Sequence, residues 1–82
     1  MAYHLKKIKK GVKGEVSKIR EELEELEDAI EQGNTIEALV ELSDIVGAID
    51  LFLKAHHPSV TLKDVVKMAR VTESAFEDGT RK

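Results

Sequence analysis

The stretch IEALVELSDIVGAIDLFL, Ile36 to Leu53, decides how this chain folds. Its apolar residues cover most of the circumference of a helix, and a helix that is apolar nearly all round is a buried one. Asn34 or Thr35 can cap the N-terminus, so the sequence predicts a helix from about Thr35 to Ala55. In a chain of 82 residues, two further helices cannot cover this surface fully, and we therefore expect the chain to self-associate.

Two further helices are predicted, one on each side of this segment. An apolar residue recurs every three or four positions from about His4 to Gln32, and Gly33 follows where a left-handed helix cap is common. The residues of this stripe are Leu5, Ile8, Val12, Val16, Ile19, Leu23, Leu26 and Ile30. After a turn around Pro58, the TLKD sequence (Thr61 to Asp64) predicts a capping box that opens a third helix, which Gly79 ends.

These patterns predict an all-α fold, in which a three-helix chain forms a helical hairpin that completes a four-helix-bundle core by oligomerisation. We interpret residues 1–82 as a single domain because no linker or internal repeat divides them. Gly11 and Gly14 weaken the first helix near its start. A separate, mobile basic arm over residues 1–14 is therefore the alternative to one continuous first helix.

The composition excludes several classes of protein. The absence of cysteine excludes disulfides and thiolate metal sites, and the run from Ile36 to Ala55 carries too many charges for a membrane span. No apolar segment follows the N-terminal charges, so we expect no signal peptide and a cytoplasmic protein.

Residues 1–20 are basic, and a basic segment of this kind can bind nucleic acid. We favour a solvated helix face, because the net charge is −3 and only one Tyr and two Phe are present for stacking.

Four acidic residues fall on helix faces that are otherwise apolar. Glu22 lies inside the apolar sector of the first predicted helix and Glu25 lies at its edge, while Glu41 and Asp44 share a narrow stripe on the second. An antiparallel hairpin brings the two pairs face to face, where the carboxylates are protonated or held together by cations. Clusters of carboxylates without His or Cys favour magnesium, manganese or calcium. The alternative is that these acids are partly exposed or paired with lysines.

The other polar residues are given structural interpretations. Glu15 is expected inside the apolar sector, and His56 and His57 are expected in a loop. Asp50 has no explained role, and its two alternatives are to add to the acidic site or to bond across a subunit interface. The remaining acids of the first helix are expected on its solvated face: Glu21, Glu24, Glu27, Asp28 and Glu31.

The pattern Glu22-x-x-Glu25, then fifteen residues, then Glu41-x-x-Asp44 resembles the MazG-like family. This family belongs to the all-α nucleoside triphosphate pyrophosphohydrolases, and its signature is ExxE, a helix turn and ExxD. The wording REELEELEDA is similar to the family's first helix and VELSDIVGAI to its second. The resemblance covers about Lys18 to Leu53.

The resemblance implies a dimer or tetramer that hydrolyses a nucleoside triphosphate to a monophosphate and pyrophosphate, with Mg²⁺ or Mn²⁺ as cofactor. Glu22 and Glu41 would be the catalytic residues, one of which orients or deprotonates the attacking water. The metal ligands carried over by position would be Glu22, Glu25, Glu41 and Asp44.

The phosphate-binding cations of the family have no clear counterpart here, and the chain is short for the family. Lys18 is the candidate for binding phosphate, while Lys67 and Arg70 are interpreted as surface cations. No membrane or nucleic-acid partner is expected. The competing hypothesis is a non-catalytic helical module that binds another protein on the same fold.

Overall fold

The computed structural model describes residues 6–77, and these form three α-helices without a strand. The helices are α1 (Val16–Glu31), α2 (Thr35–His56) and α3 (Leu62–Glu77). The predicted all-α, three-helix class is therefore confirmed for this part of the chain. His4 and Gly79, the predicted start of the first helix and end of the third, lie outside the described residues.

A tight turn joins α1 to α2 and makes them an antiparallel hairpin. Gly33 has φ +69°, a left-handed conformation that glycine adopts without the steric penalty of a side chain. Its N–H donates to Ile30 O, and the N–H of Asn34 donates to Ala29 O, both at 3.0 Å. These two bonds form a Schellman motif that satisfies the last carbonyls of α1. The predicted glycine cap is therefore confirmed.

Side chains close the N-termini of the other two helices. Asn34 Oδ1 accepts the N–H of Glu37 at 3.0 Å, so Asn34 caps α2. At α3, the N–H of Asp64 donates to Thr61 Oγ1 at 3.2 Å, and the N–H of Thr61 donates to Asp64 Oδ2 at 3.0 Å. This reciprocal pair is the capping box that TLKD predicts.

The predicted start of the first helix is wrong, because α1 begins at Val16 rather than near His4. Gly14 has φ +88°, which breaks helical geometry at this point. The N–H of Val12 donates to Ser17 Oγ at 3.0 Å, so the preceding residues bend back over the first turn of α1. Residues 6–15 thus form a non-helical segment, which we call the N-terminal strap.

The core within residues 6–77 is small and contains acidic as well as apolar side chains. Its buried apolar residues are Ala29, Ala48 and Leu53, and its buried acids are Glu21, Glu22, Asp28 and Glu41. Much of the apolar surface of α2 remains exposed. The large apolar residues exposed on α2 are Ile36, Leu39, Val40, Leu42, Val46 and Leu51. One chain thus leaves its most apolar helix incompletely covered.

The third helix packs sparsely against the hairpin. The Cα radius of gyration is 14.9 Å, whereas a compact domain of this length has about 12 Å. Four large apolar residues of α3 are exposed: Val66, Met68, Val71 and Phe76. Each helix within residues 6–77 is too short or too polar to cross a membrane.

Candidate metal centre

Facing acids of α1 and α2 meet inside the hairpin. Glu22 on α1 is 5% exposed and Glu41 on α2 is 3% exposed, whereas Asp44 is exposed. Each of the three offers one carboxylate oxygen, and these oxygens all lie within 4.8 Å of one another. The antiparallel hairpin therefore brings together three of the four predicted ligands, with Asp44 on the solvent side.

The fourth predicted ligand, Glu25, adjoins the same group. Its oxygen lies within 4.8 Å of oxygens of Glu21 and Glu22, and its charge raises the pKa of Glu41. Glu22 is thus common to both groups and links them. We call the four residues Glu22, Glu25, Glu41 and Asp44 the acidic cluster.

The carboxylate of Glu22 is only half satisfied. Its Oε1 accepts a hydrogen bond from Lys18 Nζ at 3.0 Å. Its Oε2 is buried and has no hydrogen-bond partner. A buried polar atom without a partner is rare and unfavourable, and an ionised carboxylate oxygen is the least tolerable case. Oε2 of Glu22 is therefore available as a ligand oxygen.

Glu41 is the most strongly perturbed acid of the cluster. Burial raises its pKa to about 8, and a hydrogen bond with Asp44, the charge of Glu25 and the neighbouring Glu37 act in the same direction. Without a cation, the protonated form therefore predominates near neutral pH. A divalent ion would reverse this effect, because it stabilises the carboxylate form.

Glu21 is buried rather than solvated, so its predicted place on the solvated face is wrong. Its Oε1 accepts the N–H of Gly11 at 2.8 Å and Lys18 Nζ at 3.2 Å, and Lys10 Nζ lies 3.8 Å from its Oε2. Burial acts to raise the pKa of Glu21, but the Gly11 bond and the two lysine charges outweigh it and lower that pKa. Glu21 holds the strap, a role that helical periodicity does not reveal.

Asp28 is also predicted on the solvated face of the first helix, and this prediction is wrong because Asp28 is fully buried. Its Oδ2 accepts a hydrogen bond at 2.8 Å from Nε2 of Gln32, the C-cap of α1. Glu27 and Glu31 are exposed as expected, and Glu24 is half-buried.

The remaining candidates lie outside the cluster. Glu15 is exposed at the N-cap of α1, contrary to its predicted place in the apolar sector, and its Oε2 lies 3.7 Å from His56 Nε2. The prediction that both histidines lie in a loop is wrong for His56, which ends α2 with its ring centroid 4.6 Å from that of Phe52, whereas His57 is the C-cap that follows. Asp50 forms a 3.0 Å ion pair with Lys54. Lys67 and Arg70 are exposed on α3.

The donor set of the acidic cluster fits a hard divalent cation. Its ligands are carboxylate oxygens only, which suit Mg²⁺ and Mn²⁺ better than zinc. The unpartnered Oε2 of Glu22 supplies a buried oxygen ligand, and the exposed position of Asp44 leaves the cluster accessible from solvent. The residues present therefore fit the ion that the sequence predicts.

Comparisons with protein-family models, with curated proteins and with solved structures find no match to this chain.

Proposed function

We propose that this chain is a magnesium-dependent nucleoside triphosphate pyrophosphohydrolase of the MazG-like type. The proposal rests on one observation: carboxylate oxygens of Glu22, Glu41 and Asp44 lie within 4.8 Å of one another. The unpartnered buried oxygen of Glu22 supports it independently. The ExxE and ExxD spacing of the sequence supports the reaction class.

Glu22, Glu25, Glu41 and Asp44 would hold the metal. When bound, Mg²⁺ would neutralise charge between the carboxylates and the triphosphate and offset the charge of the leaving pyrophosphate. The half-buried position of the cluster limits competing water, which strengthens every electrostatic contact within it. Mn²⁺ suits the same oxygen ligands.

The reaction needs one proton acceptor. A water oxygen bonds to the α-phosphorus, the bond from that phosphorus to the bridging oxygen breaks, and pyrophosphate leaves with the bonding electrons. The proton of the water passes to Glu22 or Glu41. A base works best when its pKa lies near the working pH.

The active form is proposed to be a dimer or tetramer of this chain. The exposed residues Ile36, Leu39 and Val46 recur along one side of α2 at helical spacing. A second copy of the hairpin offers the same apolar surface, so pairing two hairpins buries both and completes a four-helix bundle. The acids facing the interior of the hairpin remain available in this arrangement.

The test is a panel of nucleoside triphosphates incubated with Mg²⁺, with the products separated by chromatography. We expect monophosphate and pyrophosphate in equal amounts from the wild type. Glu41→Gln is expected to lower the rate by about a hundredfold or more, because it removes a candidate base and ligand. Glu31→Gln, an exposed change on α1, is the matched control and should keep the wild-type rate.

Diphosphate and phosphate as products would contradict the reaction class. Equal rates for wild type and Glu41→Gln would contradict the site. No turnover by a folded, magnesium-binding protein would favour the second candidate function, a helical module that binds another protein. The exposed apolar residues Met68 and Val71 of α3 are the observation in favour of that module.

A further inference from the structure

Lys18 is a tethered cation shared by two buried acids. Its Nζ lies 3.2 Å from Glu21 Oε1 and 3.0 Å from Glu22 Oε1. The Lys18 side chain is 22% exposed, and those of its two partners are 2% and 7% exposed. Its hydrogen bond to Glu22 is the main cause that raises the pKa of Lys18, which therefore stays charged.

A divalent ion bound at Glu22 would be repelled by the ammonium group of Lys18. Glu22 belongs both to the ion pair with Lys18 and to the oxygen group with Glu41 and Asp44. An ion held by Glu22 would place two further positive charges near the ammonium group, and like charges at such distances repel strongly where water is scarce. Lys18 holds Oε1 of Glu22, whereas its Oε2 has no partner. An ion on Oε2 would therefore share a carboxylate with the ammonium group, and the repulsion between the two cations opposes holding both there.

Glu21 gives Lys18 a place to remain when it leaves Glu22. Glu21 Oε1 already accepts Lys18 Nζ, and the N–H of Gly11 fixes the same carboxylate from the strap. Losing Glu22 thus leaves Lys18 with one anionic partner. The ammonium group then gains freedom to turn toward an anionic ligand at the cluster.

We propose that Lys18 is a built-in counter-ion of the acidic cluster, and that a divalent cation binds by displacing its ammonium group from Glu22. The proposal rests on the metal site of the proposed function and adds its regulation. In the metal-free protein, Lys18 neutralises Glu22 and stabilises the fold. In the loaded protein, the displaced Lys18 is released to contact a phosphate oxygen of the triphosphate.

The test compares Lys18→Met, which keeps the apolar stem and removes the charge, with wild type. Lys10→Met is the matched control, because Lys10 is 87% exposed and lies 3.8 Å from the same Glu21. Each protein is melted in chelator and titrated with Mg²⁺ by calorimetry, and with Mn²⁺ as a paramagnetic probe. Lys18→Met is expected to melt lower in chelator, yet to bind Mg²⁺ about tenfold more tightly. Lys10→Met should leave the Mg²⁺ affinity unchanged and lower the melting temperature less than Lys18→Met does, because exposed ion pairs contribute little.

The outcomes separate this proposal from the proposed function. If wild type binds Mg²⁺ and Lys18→Met binds it no more tightly, the displacement is wrong while the metal site stands. If only Lys18→Met binds, Lys18 blocks the cluster, and the metal-dependent function of the wild type is wrong. If neither binds, both are wrong. Should Lys18→Met fail to fold in chelator, Lys18→Gln, which keeps a donor without the charge, gives the same comparison.

Discussion

Replacing Glu41 with glutamine is expected to raise the melting temperature of the metal-free protein at pH 8 by on the order of 10 °C. Burial, the hydrogen bond with Asp44 and the charge of Glu25 raise the pKa of Glu41 from 4.5 to about 8. The folded chain therefore keeps a proton that the unfolded chain releases above pH 4.5. Folding stability falls as pH rises between these two values, by on the order of 4 kcal/mol in total. Glutamine has the same shape but does not titrate, so the variant escapes this loss.

The measurement is thermal unfolding in chelator at several values between pH 5 and pH 8. The gap between Glu41→Gln and wild type should widen steadily across this window. Glu31→Gln, at the exposed end of α1, should show no such widening. A gap that stays constant with pH would show that burial does not shift the pKa of Glu41, and would remove the electrostatic argument for a cation.

Placing lysine at both Leu39 and Val46 is expected to convert the chain to a monomer. Leu39 is 61% exposed and Val46 is 47% exposed, and the two lie seven residues apart on one side of α2. Charges on both sides of a paired interface would have to lose their hydration without a partner, which strongly opposes association. We expect wild type to behave as a dimer or tetramer of the 9.1 kDa chain and the double variant to lose this association.

Light scattering at micromolar concentration measures the mass directly. Val71→Lys makes the same chemical change on α3, at a residue that is 65% exposed, and should leave the mass unchanged. A monomeric wild type would contradict the proposed bundle. A monomeric Val71→Lys would instead place the subunit contact on α3.

Local signals in the sequence were sufficient to predict most of the fold. The Schellman motif at Gly33, the cap at Asn34 and the Thr61–Asp64 capping box each depend on residues that are close in sequence. The apolar stripe misled the prediction before Val16. The three- or four-residue spacing of apolar residues continues across Gly14. The left-handed backbone at this glycine is not helical, so the helix begins only after it and the strap turns back onto α1.

The candidate site was predictable where it depends on the pairing of α1 with α2. Helical spacing and a short turn place Glu22 opposite Glu41 and Asp44, as the structure has them. The burial of Glu21 was not predictable in this way, because a helical wheel describes only one helix and its apolar neighbours. The strap covers Glu21 through the N–H of Gly11, a backbone group that carries no sequence signal.

The most direct test of the central claim is a calorimetric titration of the wild type with Mg²⁺ at pH 8, repeated with Glu22→Gln. We predict saturable binding by the wild type, accompanied by proton release as Glu41 ionises, and loss of that binding in the variant. The affinity for Mg²⁺ should rise with pH up to about 8, because above this pH Glu41 is deprotonated even in the absence of the ion. A folded wild type that shows no saturable binding of Mg²⁺ or Mn²⁺ at millimolar concentration would contradict the account.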